Sequence, residues 1–126
     1  MPHQHAAVWI DHQEARIFHV DRESFDASTV RAPPRHVRRH PTVTAERSHP
    51  ADAERFYHDV AHALEDAEEV LVVGPATAKL ELIKHIYKHD HGLAPKIVGV
   101  ETVDHPTDGQ LVAYVRSYFR AADRVR

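Results

Sequence analysis

The side chains most able to do chemistry by charge are five arginines within one short stretch. Arg31, Arg35, Arg38, Arg39 and Arg47 fall in residues 31–50, where Glu46 is the sole carboxylate. Guanidinium groups at that density make charge-assisted bonds to phosphates. His36 and His40 lie among them and would add charge when protonated, or stack on bases. No Phe, Tyr or Trp occurs in residues 32–49, so stacking is not expected to be the main mode of contact. Lys79 closes the run Gly74-Pro75-Ala76-Thr77-Ala78-Lys79, between a strand and a helix start, where backbone N–H groups favour anions. A nucleotide-binding loop needs G-x-x-x-x-G-K-[ST]. The second Gly and the following hydroxyl residue are missing, so a plain strand-to-helix turn is the expected role.

Two other constellations carry metal or acid–base chemistry. His58 and His62 stand four apart on an expected helix, with Glu65 and Asp66 continuing the same side, a spacing that can hold a divalent metal. Asp59 follows His58 where H-E-x-x-H needs Glu. The face lies opposite Phe56 and Val60, and His85 and His89 repeat the spacing in a chain with 13 histidines. The expectation is a solvated face, with no metal and no cofactor. Asp11 ends the first expected strand and Asp104 follows the last, and Glu54 or Asp59 could join them. Two-metal hydrolysis needs carboxylates that hold ions about 4 Å apart. The stronger expectation for Asp11 is a turn, its side chain bonding nearby backbone. Ser24, Ser28, Ser48 and Ser117 occupy no nucleophile elbow.

The totals narrow the setting. The chain has 126 residues and no Cys, which excludes thiolate metal sites, disulfides and a Cys nucleophile, and fits a single domain over 1–126 in a reducing, cytoplasmic compartment. No signal peptide is apparent, and no apolar run reaches the roughly 20 residues that a membrane helix needs. The formal net charge is −3 with histidine neutral. Charge is unevenly placed: residues 51–70 hold Asp52, Glu54, Asp59, Glu65, Asp66, Glu68 and Glu69 against Arg55 alone, and Arg116, Arg120, Arg124 and Arg126 make the tail basic. With so many histidines, mild acid would swing the net charge positive, and solubility or anion affinity is expected to change between about pH 7.5 and 5.5.

These groups need a scaffold. Residues 6–11 and 15–21 read as strands separated by His12-Gln13-Glu14, a hairpin with Phe18 and Val20 on one face and Ile17 on the other. Residues 27–32 make a third strand. Pro33, Pro34 and Pro41 then bound a long exposed loop at about 32–49. Pro50 suits the first turn of a helix that places Phe56, Val60, Ala63, Leu64 and Ala67 on one face. Residues 69–73 are a buried strand. Residues 76–90 are a second helix, with Leu80, Ile83 and Tyr87 inward and Gly92 as its stop. Residues 97–103 are the last strand, and a third helix presents Leu111, Val115, Tyr118 and Phe119. Thr107 and Gln110 form the capping-box pattern T-x-x-Q at its start. The order β-β-β-α-β-α-β-α predicts an α/β domain with a ribonuclease-H-like mixed five-stranded sheet and three helices.

The stretches AVWIDHQEARIFHV and EVLVVGPATAKLELIKHI resemble a family of small bacterial translational machinery proteins. That family is similar to the central domain of archaeal and eukaryotic peptide release factors and of Pelota. The resemblance runs from residue 6 to about 122. It implies a Gly-Gly-Gln loop between the third strand and the first helix, the element with which release factors hydrolyse peptidyl-tRNA. Residues 32–49 contain neither Gly nor Gln, so that activity is not carried over. The pair Gly109-Gln110 lies at another junction, where it serves the cap. The resulting expectation is a non-enzymatic RNA- or ribosome-associated factor that contacts phosphates through the basic loop. The alternatives are a metal-dependent nuclease or hydrolase centred on Asp11, and a protein–protein interaction module, expected to be a homo-oligomer.

Overall fold

The computed structural model describes residues 5–33 and 50–125. In chain order the elements are β1 (His5–Ile10), β2 (Glu14–Val20), β3 (Phe25–Arg31), α1 (Pro50–Ala63), β4 (Glu69–Gly74), α2 (Ala78–His89), β5 (Ile97–Thr102) and α3 (Asp108–Val125). The five strands form one sheet in the order β3-β2-β1-β4-β5. β1–β2 and β2–β3 are antiparallel; β1–β4 and β4–β5 are parallel. This is the mixed ribonuclease-H-like sheet with three helices expected from the element order.

The central strand shows why the sheet needs cover on both sides. Ala6, Val8 and Ile10 of β1 face a core shared with α1 and α2, built from Ile17, Val60, Leu64, Val72, Leu82 and Ile86. Ala7 and Trp9 face the other core, where Phe18, Val20, Leu71 and Val73 meet Leu111, Val115 and Phe119 of α3. Phe18 and Val20 therefore oppose Ile17 across the sheet, as side-chain alternation requires. Polar contacts fix the connections. The β1–β2 turn closes with Gln13 N–H and Glu14 N–H donating to Asp11 Oδ1 at 2.8 and 2.9 Å. At the next turn, Arg116 of α3 donates to the carbonyls of Asp21 and Ser24 at 3.2 and 3.0 Å, tying that hairpin to the helix.

The T-x-x-Q box forms as predicted. Gln110 N–H donates to Thr107 Oγ1 at 3.1 Å, and Thr107 N–H donates to Gln110 Oε1 at 2.9 Å. Thr107→Ala should lower unfolding stability by about 1 kcal/mol, read from thermal or urea denaturation.

Two expectations for α2 are corrected. Leu80 and Tyr87 are 50% and 58% exposed, and the buried positions are Ala78, Lys79, Leu82 and Ile86. Ile83 is only partly buried against this core. The helix docks through the phase 78-82-86 rather than 80-83-87; both recur near the helical period, and the sheet surface selects between them. Gly92 is not a left-handed stop, since the described residues contain no Gly of positive φ. α2 ends at Asp90, whose N–H donates to the Ile86 carbonyl at 2.8 Å.

Candidate functional site

In the chain, the basic stretch lies between β3 and α1. Arg31 is the last residue of β3. It is 75% exposed and pairs with Glu14 across β2–β3, its Nη1 lying 3.3 Å from Glu14 Oε1. Arg35, His36, Arg38, Arg39, His40 and Arg47 lie outside the described residues. Lys79 does not join Arg31 as an open cation. It is only 7% exposed, and its ammonium donates to the Ala76 carbonyl in the turn before α2. Its stem packs inward while its charge satisfies local backbone.

Asp11 has the turn role expected of it, and its other oxygen faces His105. His105 Nε2 is 3.9 Å from Asp11 Oδ2, and its Nδ1 is 2.9 Å from Asp104 Oδ1. The imidazole thus stands between the two carboxylates. Among the described residues, neither aspartate is gathered with Glu54 or Asp59 into a group whose ligand atoms lie within 4.8 Å of one another. The surrounding contacts organise the start of α3. Trp9 Nε1–H donates to the Asp104 carbonyl. Arg16 sits 4.7 Å over the Trp9 ring and donates to Asp108 Oδ1 at 2.7 Å and to the Pro106 carbonyl at 3.0 Å.

A polar network that the linear reading does not contain joins the β1–β2 turn to both helices on the opposite face. Tyr57 O–H donates to Glu81 Oε1 at 2.8 Å, while His12 Nε2 approaches Glu81 Oε2 at 3.2 Å. Thr77 O–H reaches the same Oε2 at 3.4 Å. Burial, then the bond to Glu81 and its charge, push the Tyr57 phenol above its ordinary range. Burial alone would raise the Glu81 carboxyl. The bonds from Tyr57 and His12, the charge of His12 and the Thr77 hydroxyl together outweigh it and hold the group below the usual carboxylate value.

Of the two histidine pairs, His85 and His89 lie together as their spacing suggests, with ring centroids 4.7 Å apart, but His58 and His62 part company. His62 turns to Glu65, with Nδ1 3.3 Å from Oε2. His58 instead faces α2. One ligand atom each from His58, His85 and Asp90 lie within 4.8 Å of one another, at an open cleft also lined by Glu54, Arg55 and His89. His85 is half-buried, and its Nε2 is buried without a hydrogen-bond partner among the described residues. Burial first, then the charge of His89, hold the His85 imidazole below its ordinary pKa. Asp90 and Glu54 oppose that shift, and His58 adds to it. Histidine spacing singled out residues on both helices, but only the packing of α1 against α2 brings His58 to His85 and Asp90.

No family model matches the chain, and no curated protein matches it. Solved structures do. The chain is similar to Pelota of Archaeoglobus fulgidus, with a TM-score of 0.61 and 16% identity over 97% of this chain and 36% of that one. It is similar to the archaeal translation termination factor aRF1, with a TM-score of 0.59 and 14% identity over 82% of this chain and 31% of that one. Dom34 of S. cerevisiae, a translation termination-like factor involved in RNA quality control, gives a TM-score of 0.54 and 13% identity over 79% of this chain and 29% of that one. The chain therefore spans about a third of the length of the proteins it matches, and what it shares with them is the fold of one domain.

Proposed function

We propose that this chain is a non-catalytic, translation-associated factor that binds RNA, ribosomal RNA in the first instance, through the basic segment between β3 and α1. The family it would belong to is the small bacterial translational machinery proteins. One observation carries the reading: the chain shares the fold of part of a translation termination factor and of a factor involved in RNA quality control, and between β3 and α1 it carries arginines with no Gly or Gln. That junction is where the resemblance to release factors would require a hydrolytic loop. A polyarginine segment recognises phosphate by charge and needs no defined base readout. Arg31 at the exit from β3 would extend the contact, whereas Lys79 is occupied within the fold.

Co-sedimentation with ribosomes and binding to single-stranded RNA test the proposal. Affinity should fall steeply with salt. Each lost phosphate contact removes about 0.7 from the logarithmic salt slope for a single strand. The combined Arg35→Ala, Arg38→Ala and Arg39→Ala variant should therefore lower the slope by about 2 and weaken binding roughly 50-fold near 0.15 M salt. Peptidyl-tRNA should remain intact in the presence of the protein. Absence of both ribosome and RNA binding at low salt would reject the reading.

A further inference from the structure

We propose that His58, His85 and Asp90 form a binding site for a divalent transition-metal ion of the zinc class, clasping α1 to the C-terminal end of α2. The site is independent of the basic segment. Three observations support it. The first is convergence: two imidazoles and a carboxylate, supplied by two helices and the residue that ends one of them, bring ligand atoms within 4.8 Å of one another. Around a tetrahedral zinc with bonds near 2.1 Å, neighbouring ligand atoms sit about 3.4 Å apart. Closing that gap asks for a modest rotation of His58, which is exposed and free to make it.

The second observation is the unsatisfied atom. His85 Nε2 is buried and has no hydrogen-bond partner among the described residues. A buried ring nitrogen left unpaired is costly in either tautomer, as an acceptor without a donor or a donor without an acceptor. A metal ion held through that nitrogen would satisfy it. The third is the lining of the cleft. Glu54 and His89 stand at its margin and could complete the coordination, with solvent taking any position left open. Arg55 also lines the cleft and opposes a cation; Asp90 and Glu54 offset its charge. Imidazole ligands select zinc, nickel or copper over magnesium or calcium, which prefer all-oxygen sets.

The consequence is structural. A metal held by both helices would fasten α1, whose N-terminus receives the chain from the basic segment, to the end of α2. The ion would add a second polar tie to two helices already joined by their shared apolar core and the Tyr57–Glu81 hydrogen bond.

The test is titration of the full chain with Zn²⁺ against a chromogenic chelator, together with thermal melting and a Co²⁺ spectrum. The expected result is micromolar or tighter binding of one ion, a rise in melting temperature, and intense visible bands from tetrahedral cobalt. His58→Ala and Asp90→Asn should each weaken binding at least tenfold and abolish the rise. His62→Ala, outside the cluster, should leave both unchanged. Mg²⁺ should not compete. His85→Ala serves as a further variant if its circular dichroism is native; His58 is exposed, so its variant keeps the test valid even if His85→Ala does not fold. Binding that survives in His58→Ala and Asp90→Asn would place the metal on other histidines and overturn the proposal. So would the absence of binding at micromolar Zn²⁺.

Discussion

Trp9→Ala should cost the domain about 3–5 kcal/mol, a large part of the roughly 5–15 kcal/mol that holds a domain folded. Trp9 is fully buried in the core under α3, in the central strand of the sheet. Truncation leaves a cavity that neither β1 nor its paired neighbours can close without breaking strand register. It also removes the indole donor to the Asp104 carbonyl and the ring beneath Arg16. Arg16 holds the first residues of α3 through Pro106 and Asp108, so the damage should spread to that helix. Trp9→Phe keeps most of the packing and loses the hydrogen bond, and should cost markedly less. Urea denaturation followed by far-UV circular dichroism measures both, since Trp9 is the only tryptophan and its own fluorescence is lost. A Trp9→Ala midpoint equal to that of the parent chain would contradict the packing described above.

Gly74→Val should be nearly as damaging, by a different route. A Cβ at Gly74 would collide with the Ile10 carbonyl oxygen. That atom belongs to the backbone at the end of β1 and cannot swing aside, so the end of the β1–β4 pair must shift. Overpacking of this kind costs about 1–3 kcal/mol and more where backbone must move. The comparison with other glycines is direct. A Cβ at Gly99 would meet the Tyr118 hydroxyl, the far end of a side chain that can rotate, so Gly99→Ala should cost less. Gly92 and Gly109 face open space, and Gly92→Ala should stay within about 0.5 kcal/mol of the parent. Chemical denaturation of the three variants in parallel gives the ranking; equal midpoints for Gly74→Val and Gly92→Ala would refute it.

Which features could be read before the fold was known follows from how far apart the interacting groups lie along the chain. The Asp11 turn and the Thr107–Gln110 box were both legible, because each is a bond between residues two or three apart and needs no tertiary partner. The element order was legible too, since strand alternation and helical periodicity are local patterns. Phe18 and Ile17 divide between the two cores for that reason alone. The polar network of His12, Tyr57 and Glu81 was not legible, because it joins three elements separated in sequence. The plain strand-to-helix turn expected around Lys79 forms, but the burial of Lys79 was not legible, because a lysine at a helix start reads as a solvent cation until the fold encloses its stem.

Composition, charge placement and hydrophobic period by themselves pointed to an α/β domain, its element order and an arginine-rich segment without Gly or Gln; only the resemblance to release factors implied a Gly-Gly-Gln loop there. Tertiary structure alone decided which face of α2 is buried and which histidines meet. The apolar residues of α2 spread over more than one face, so two helical phases could be read in sequence; only contact with the rest of the fold separated Leu82 and Ile86 from Leu80 and Tyr87. The same docking swings His85 and Asp90 towards His58 and leaves His62 beside Glu65. Periodicity tells which residues of a helix share a side, but the direction of that side is set by what the helix packs against.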